Sequence, residues 1–161
     1  MTSPKYTDMY AQGPSDTVYR KITSDYVSTI NVDGKEILKV DPEGIRMLTA
    51  EAMKDIAHLL RTSHLEKLAK ILEDDEASDN DRFVATELLK NANIASGMVL
   101  PGCQDTGTGI IMGKKGQYVW TDGDDAEAVN MGVIDTYTKT NLRYSQLAPK
   151  SLFEEKNTKT N

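Results

Sequence analysis

The stretch Val27-Ser-Thr-Ile-Asn-Val-Asp-Gly-Lys-Glu-Ile-Leu-Lys-Val-Asp-Pro42 carries the strongest local structural information in the chain. Its β-branched runs, Val27–Val32 and Ile37–Val40, flank Asp33-Gly34, and both turn residues accept the positive φ angles of a tight hairpin. Asp41-Pro42 then favours a helix start, because Asp caps free N–H groups and Pro needs no donor at the first helical position. The stretch predicts a β-hairpin followed directly by an α-helix.

Helical spacing of apolar residues predicts four helices after this hairpin. The first helix should bury a stripe formed by Ile45, Leu48, Ala52, Met53, Ile56, Leu59 and Leu60. A capping box at Ser63 and Glu66 predicts the start of the second helix. Ser78 or Asp79 should cap the third helix, with Gly97 as its stop. The fourth helix should follow Asp122-Gly123 and carry Ala126, Val129, Val133 and Tyr137 on its apolar face.

A second hairpin is predicted between the third and fourth helices. Its strands would be Gly109–Met112 and Gln117–Thr121, which flank the turn residues Gly113-Lys-Lys-Gly116. Residues 98–107 read as the loop that precedes it. Helices and hairpins are segregated along the chain rather than alternating as single βα units, so the expected fold class is α+β, with helices packed against β-hairpins.

Composition excludes several classes of protein. The 161 residues include 25 acidic and 19 basic side chains, and this net charge of −6 argues against a partner that is a nucleic acid. The longest apolar run, Ile110–Met112, is far too short to span a membrane. Cys103 is the only cysteine, so no internal disulfide can form, and a reducing, cytoplasmic compartment is expected. Residues 1–17 are polar and predict a mobile lead-in before a domain that covers residues 18–161.

Most candidate motifs for chemistry fail on spacing. The glycines between 107 and 116 match neither the dinucleotide fingerprint nor the nucleotide P-loop. His58 and His64 are too far apart in sequence to form a metal pair on one helical face. Cys103 is different, because it lies in a loop beside Gln104 and Asp105, where a thiolate, an amide and a carboxylate meet. A lone cysteine is most often a small buried hydrophobe, but this context predicts a ligand or metal site.

The residues around Cys103 also carry a resemblance to a known family. The run Val99-Leu-Pro-Gly-Cys-Gln-Asp-Thr-Gly-Thr-Gly-Ile-Ile-Met-Gly-Lys-Lys-Gly-Gln117, followed by Val119-Trp-Thr121, closely resembles the first cluster-ligand region of class I, iron–sulfur-dependent fumarate hydratases. Three other stretches agree in order and spacing. They are Asp75-Glu-Ala-Ser-Asp-Asn-Asp-Arg82, Asn141-Leu-Arg-Tyr-Ser-Gln146 and Glu154-Glu-Lys-Asn-Thr-Lys-Thr-Asn161.

The resemblance implies a hydro-lyase that interconverts fumarate and (S)-malate. Family members bind a [4Fe–4S] cluster through three cysteines and leave one iron open as a Lewis acid. Cys103 matches the first ligand, Gln104 and Asp105 match residues beside the substrate, and Asp105 is the candidate for proton transfer. Arg143 matches a ligand of the substrate carboxylate. Simpler roles stay open, because Asp105 could brace its turn and Arg143 could complement a helix dipole.

Members of this family are longer than 161 residues, and their other two cluster cysteines lie downstream of the region matched here. We therefore expect the N-terminal part of the family's alpha domain, truncated at its C-terminus and inactive alone, with the rest of the enzyme or a partner chain supplying the remaining ligands. The complete enzyme should be a homodimer, and a mitochondrial location stays open beside the cytoplasmic one. Two alternatives remain: a tartrate-type iron–sulfur dehydratase and a non-catalytic interaction module of the same fold.

Overall fold

The Asp33-Gly34 turn forms as the sequence predicts. In the computed structural model, which describes residues 5–7, 18–103 and 108–157, Asp33 has φ 51° and Gly34 has φ 75°. These angles let strand β1 (Val27–Val32) pair antiparallel with strand β2 (Lys35–Val40). The predicted lead-in, residues 1–17, lies largely outside the described residues and stays a prediction.

Four helices follow within the described part of the chain: α1 (Pro42–His58), α2 (Thr62–Leu72), α3 (Asp79–Ala95) and α4 (Asp125–Lys139). Asp41 caps α1 by accepting a hydrogen bond from the Glu43 N–H. Asp124 caps α4 by accepting from the N–H groups of Ala126 and Glu127. Together with β1 and β2, these helices confirm the α+β class.

Helices α1 and α4 form the packed centre of the described fold, and α2 packs mainly on α3. The buried apolar cluster consists of Met53, Val133 and Tyr137, with Leu142 against it. The Thr136 hydroxyl donates across the helix interface to the Ala50 carbonyl at 3.1 Å. Arg46 forms a two-point ion pair with Asp135, with Nε 2.6 Å from Oδ2 and Nη2 3.1 Å from Oδ1.

The predicted buried stripe of α1 is correct at Met53 but otherwise shifted by about one position around the helix. The buried residues are Thr49, Met53, Ala57 and His58, whereas Leu48 and Ile56 are 56% and 63% exposed. The reason is a close approach between helices, because Gly132 of α4 lies directly against Arg46 and Thr49. Only a residue without a side chain allows this contact, and the contact decides which face of α1 is covered.

The predicted second hairpin is also wrong. Residues 108–116 are not a strand, and β3 (Val119–Thr121) instead pairs parallel with β2, giving a three-stranded sheet in the order β1-β2-β3. The Leu38 N–H donates to the Tyr118 carbonyl at 2.8 Å beside this pairing. The unpaired edge of β2 accepts β3 because helices α1 to α3 supply the long connection that a parallel pair requires.

One further local prediction, the capping box of α2, needs correction. Helix α2 begins after Arg61, and within the described residues no side chain caps it, so the box at Ser63 and Glu66 does not form. The capping box lies at Ser78 and Asp81 of α3. Helix α3 ends at Ala95 with Ser96 as its C-cap, so Gly97 directly follows the helix as predicted, while the positive φ lies one residue later, at Met98 (62°).

The C-terminal part of the described chain forms a small sheet that the sequence analysis missed. Strand β4 (Leu147–Pro149) pairs antiparallel with strand β5 (Glu155–Asn157). Leu152 and Phe153 lie in the connection and are almost fully exposed. Among the helices that the structure describes, none is long and apolar enough to cross a lipid bilayer.

Candidate functional site

Cys103 lies at the end of a short segment that leaves helix α3, which we call the cysteine segment (residues 97–103). The chain turns there because Met98 adopts a left-handed conformation and its N–H donates to the Ala95 carbonyl at 2.9 Å. The segment runs back past the end of α1 and presents Cys103 with an exposed thiol. The structure therefore does not bury this cysteine as an ordinary apolar residue.

Two backbone hydrogen bonds fix the part of the segment that holds the thiol. The Gly102 N–H donates to the Ala57 carbonyl, in the last turn of α1, at 2.8 Å. The Cys103 N–H donates to the side-chain Oδ1 of Asn91, on α3, at 2.7 Å. The cysteine backbone is thus held from two different helices while its side chain stays accessible.

His58 stiffens the turn of α1 that carries the Ala57 carbonyl. Its side chain is 2% exposed, and its Nδ1 lies 2.7 Å from the Lys54 carbonyl oxygen. Because a carbonyl only accepts, Nδ1 carries the donated proton. His58 Nε2 is buried without a hydrogen-bond partner in the part of the chain that the structure describes. His58 is therefore a packed residue that holds the last turn of α1.

Arg143 is exposed and lies in a stretch without regular secondary structure, four residues after the last residue of α4. Two residues before it, the Asn141 Nδ2 donates to the Val99 carbonyl at 2.9 Å, across 42 positions of sequence. This bond ties the stretch that carries Arg143 to the cysteine segment. Gln104 and Asp105 lie outside the described residues, so their predicted roles stay predictions.

The cysteine segment suits a single bond to an iron–sulfur cluster and no more. One exposed thiol on a fixed backbone is the donor that such a cluster needs at each cysteine ligand. Within the described ranges, no group of three or more His, Cys, Asp and Glu side chains could enclose a metal ion. Cys103 is the one cysteine of the 161 residues, so this chain offers a single thiolate to any metal group.

An open cleft of about 730 Å³ lies beside the loop that follows the cysteine motif. It is bounded by α1, α4 and β3, and Lys114 and Lys115 are at its edge. The Lys115 Nζ lies 2.9 Å from Asp125 Oδ2. Hydrogen bonds from Thr121 and then from Lys115 hold the pKa of Asp125 below its usual value. Lys115 is therefore paired with a carboxylate of this chain.

Two asparagines that hold the cysteine segment, Asn91 and Asn141, were not predicted from the sequence. Asn91 lies inside the apolar pattern of α3, and Asn141 follows a helix end, so neither position carries a recognisable motif. Each bond depends on residues that are distant in sequence, which no local pattern reveals. Asn141 did fall within one of the quoted resemblance stretches, and that was the only available sequence indication.

Comparisons with known proteins identify the family of this chain. The family model described as fumarate hydratase (Fumerase) matches residues 46–161. The chain is 53% identical over 148 residues to fumarate hydratase 1, mitochondrial, of Leishmania major, and the match covers 91% of this chain and 27% of that protein. The anaerobic class I fumarate hydratase of Escherichia coli (strain K12) is 49% identical over 156 residues, covering 97% of this chain and 28% of its own length.

The aerobic class I fumarate hydratase of the same strain is 51% identical over 146 residues, which cover 91% of this chain and 27% of that enzyme. The chain belongs to the fumarate hydratase family. It spans little more than a quarter of the length of these relatives.

Proposed function

We propose that this chain is the N-terminal part of a class I fumarate hydratase, a hydro-lyase that interconverts fumarate and (S)-malate. The observation that carries the proposal is the exposed Cys103 thiol on a fixed backbone, in a chain about half of whose residues are identical to those of enzymes named fumarate hydratase. The catalytic unit would be the complete enzyme, because the relatives are more than three times as long as this chain.

Cys103 would hold one corner of a [4Fe–4S] cluster, with two more cysteines supplied from outside the chain. When bound, the cluster supplies an open iron that acts as a Lewis acid toward the hydroxyl of the substrate. The contribution of this chain is to present the Cys103 thiolate in one place. The bonds to Asn91 and Ala57 support that role, since they fix the backbone and leave the side chain unobstructed.

Arg143, Gln104 and Asp105 would handle the dicarboxylate itself. A guanidinium grips a carboxylate with two parallel hydrogen bonds, so Arg143 would orient one end of the substrate. Asp105 would move the proton at the carbon next to a carboxylate, and the Gln104 amide would hydrogen-bond to the charge that develops there. The Asn141 bond to Val99 supports this arrangement, because it ties the Arg143 stretch to the cysteine segment.

The two alternatives from the sequence are less well supported. The relatives reported above are all named fumarate hydratases, which favours fumarate over tartrate as the substrate. An exposed cysteine with a fixed backbone has no obvious use in a non-catalytic module. We further propose that the complete enzyme is a homodimer in a reducing, cytoplasmic compartment, although one relative is named as mitochondrial.

The test uses the complete enzyme, purified without oxygen, and three variants at the proposed site. Cys103→Ser should lose the visible absorbance of the cluster and the hydration of fumarate together. Asp105→Asn should keep the cluster and lower kcat by about 10²- to 10⁴-fold. Arg143→Lys should raise the KM for fumarate more than it lowers kcat, because a point charge replaces a two-point grip.

Lys150→Gln is the matched control, since Lys150 is an exposed cation paired only loosely with Glu154 at 3.7 Å; its kinetics should equal those of the unmodified enzyme. Full cluster content in Cys103→Ser would remove Cys103 from the ligand set. A parallel assay with tartrate decides between the two substrate classes, and faster turnover of tartrate would contradict the fumarate proposal.

A further inference from the structure

The cysteine segment is held by two helices and by the residue that follows the cap of a third. The Ala57 carbonyl belongs to α1, Asn91 belongs to α3, and Asn141 directly follows Thr140, the C-cap of α4. Because α1 packs mainly on α4 and α2 mainly on α3, the segment joins two helix pairs. The position of Cys103 therefore depends on bonds to both pairs.

The two asparagine side chains have opposite roles in their hydrogen bonds, one as acceptor and one as donor. Asn91 faces a backbone N–H, so its side chain must accept through Oδ1. Asn141 faces the Val99 carbonyl, so its side chain must donate through Nδ2. An aspartate carboxylate accepts but does not donate, and the same substitution should therefore preserve one bond and remove the other.

The Asn141 bond also links the two stretches that carry the predicted site residues Cys103 and Arg143. Thr140 is fixed at the end of α4 by bonds from its N–H and hydroxyl to the Thr136 carbonyl, at 3.0 and 2.6 Å. Asn141 follows at once, and Arg143 is two residues later. The Val99 carbonyl that Asn141 contacts is four residues before Cys103, so one side-chain bond joins the two stretches.

We propose that Asn91 and Asn141 are positioning residues that together set the placement of Cys103 relative to Arg143. Asn91 holds the cysteine backbone to α3, and Asn141 holds the cysteine segment to the stretch that carries Arg143. This inference rests on the proposed function for its catalytic meaning. The clamp itself is a property of the chain without cofactor or substrate.

Amide hydrogen exchange of this chain tests the clamp directly. Gly102 is the reporter, because its N–H donates to the Ala57 carbonyl, which none of the variants changes. Asn91→Leu, Asn141→Leu and Asn141→Asp each remove one bond and should speed Gly102 exchange by about fivefold, the factor expected for one net hydrogen bond. Asn91→Asp keeps an acceptor for the Cys103 N–H and should leave Gly102 exchange close to that of the unmodified chain.

Asn93→Leu is the matched control for a helical asparagine. Asn93 lies two residues after Asn91 on α3, is exposed, and its side chain forms no hydrogen bond within the ranges that the structure describes. The Gly102 amide in the Asn93→Leu chain should exchange at the same rate as in the unmodified chain. Thermal unfolding of each variant separates local opening from loss of the whole fold. Unchanged exchange in both leucine variants, or equal exchange in Asn91→Asp and Asn141→Asp, would overturn the clamp.

The complete enzyme supplies the readout for positioning. There, Asn141→Asp should raise the KM for fumarate more than it lowers kcat, because Arg143 moves relative to Cys103. An unchanged KM would refute the positioning role of Asn141. If the unmodified complete enzyme does not hydrate fumarate at all, the proposed function fails, while the exchange result on the clamp stands independently.

Discussion

At the scale of single residues, Gly132 decides how closely the two central helices approach. A Cβ at this position would lie 2.5 Å from the Arg46 carbonyl oxygen and 2.6 Å from the Thr49 Cβ. Exchange of glycine for alanine inside a helix normally stabilises it by about 1 kcal/mol. We expect Gly132→Ala to destabilise the chain instead, by about 1–3 kcal/mol, because the backbone oxygen cannot move aside.

Urea unfolding of this chain measures the effect of Gly132→Ala, and Gly113→Ala is its control. A Cβ at Gly113 would have no neighbour within 4 Å, so this second variant should change stability by less than about 0.5 kcal/mol. A Gly132→Ala chain as stable as the unmodified one would contradict the close helix contact.

The ion pair between α1 and α4 predicts a dependence of stability on pH. Hydrogen bonds from Arg46 and then from Lys139 lower the pKa of Asp135 from 3.8 to about 2. A depressed pKa means that ionised Asp135 stabilises the fold above pH 3.8, and that this contribution is lost as the pH falls through about 2. Stability should therefore drop between pH 4 and pH 2.

Urea midpoints at pH 5, 4, 3 and 2 test this, with Asp135→Asn as the comparison. The Asp135→Asn chain should be less stable than the unmodified chain at pH 5, and its stability should decline less steeply as the pH falls. Some decline should remain in the variant, because hydrogen bonds also hold the pKa of Asp81 and Asp125 below the usual value. Parallel pH profiles for the two chains would mean that the Arg46 bond does not persist in solution.

Some residues of the candidate site could be predicted from the sequence and others could not. The exposed position of Cys103 was predictable because the cysteine lies between loop residues, whereas its role as a ligand stays a prediction. The roles of Asn91 and Asn141 were not predictable, because each side chain bonds to a backbone group that comes near only after the helices have packed.

At the scale of elements, Ser78 and Ser63 allow a direct comparison of a formed and an unformed helix cap. The Ser78 hydroxyl accepts from the Asp81 N–H, while the Asp81 carboxylate accepts from the Ser78 N–H. Ser78→Ala should destabilise the chain by about 1 kcal/mol. Ser63→Ala should have little effect, since α2 begins at Thr62. Urea unfolding of both variants measures the difference, and equal losses would contradict the observed caps.

The elements that the sequence predicted correctly share a local cause. Asp33-Gly34, Asp41-Pro42 and the cap of α3 act within a few residues, so their patterns are readable before folding. The second hairpin was predicted from equally local glycines, yet β3 pairs with β2. The second hairpin does not form because the unpaired edge of β2, about 80 residues earlier in the chain, pairs with β3 instead. A prediction of strand pairing must therefore include every free edge in the chain.

At the scale of the whole molecule, a large share of the apolar surface is uncovered. Leu48 and Ile56 on α1, and Phe83 and Ile94 on α3, are exposed, whereas soluble single domains rarely leave wide apolar patches in water. The family relatives contain about two and a half further chain lengths of polypeptide. Coverage of these faces by the rest of the enzyme would explain why they are apolar.

The proposed cluster offers a second test of whether this chain depends on the rest of the enzyme. This chain has one cysteine, and a cubane cluster needs several thiolates to be retained. Anaerobic reconstitution of the 161-residue chain with iron and sulfide should therefore leave less than stoichiometric visible absorbance after desalting, and no malate–fumarate turnover. The same treatment of the complete enzyme should yield a bound cluster and activity. A stable, stoichiometric cluster on the isolated chain, with turnover, would mean that this chain is sufficient and that ligands other than cysteine complete the site.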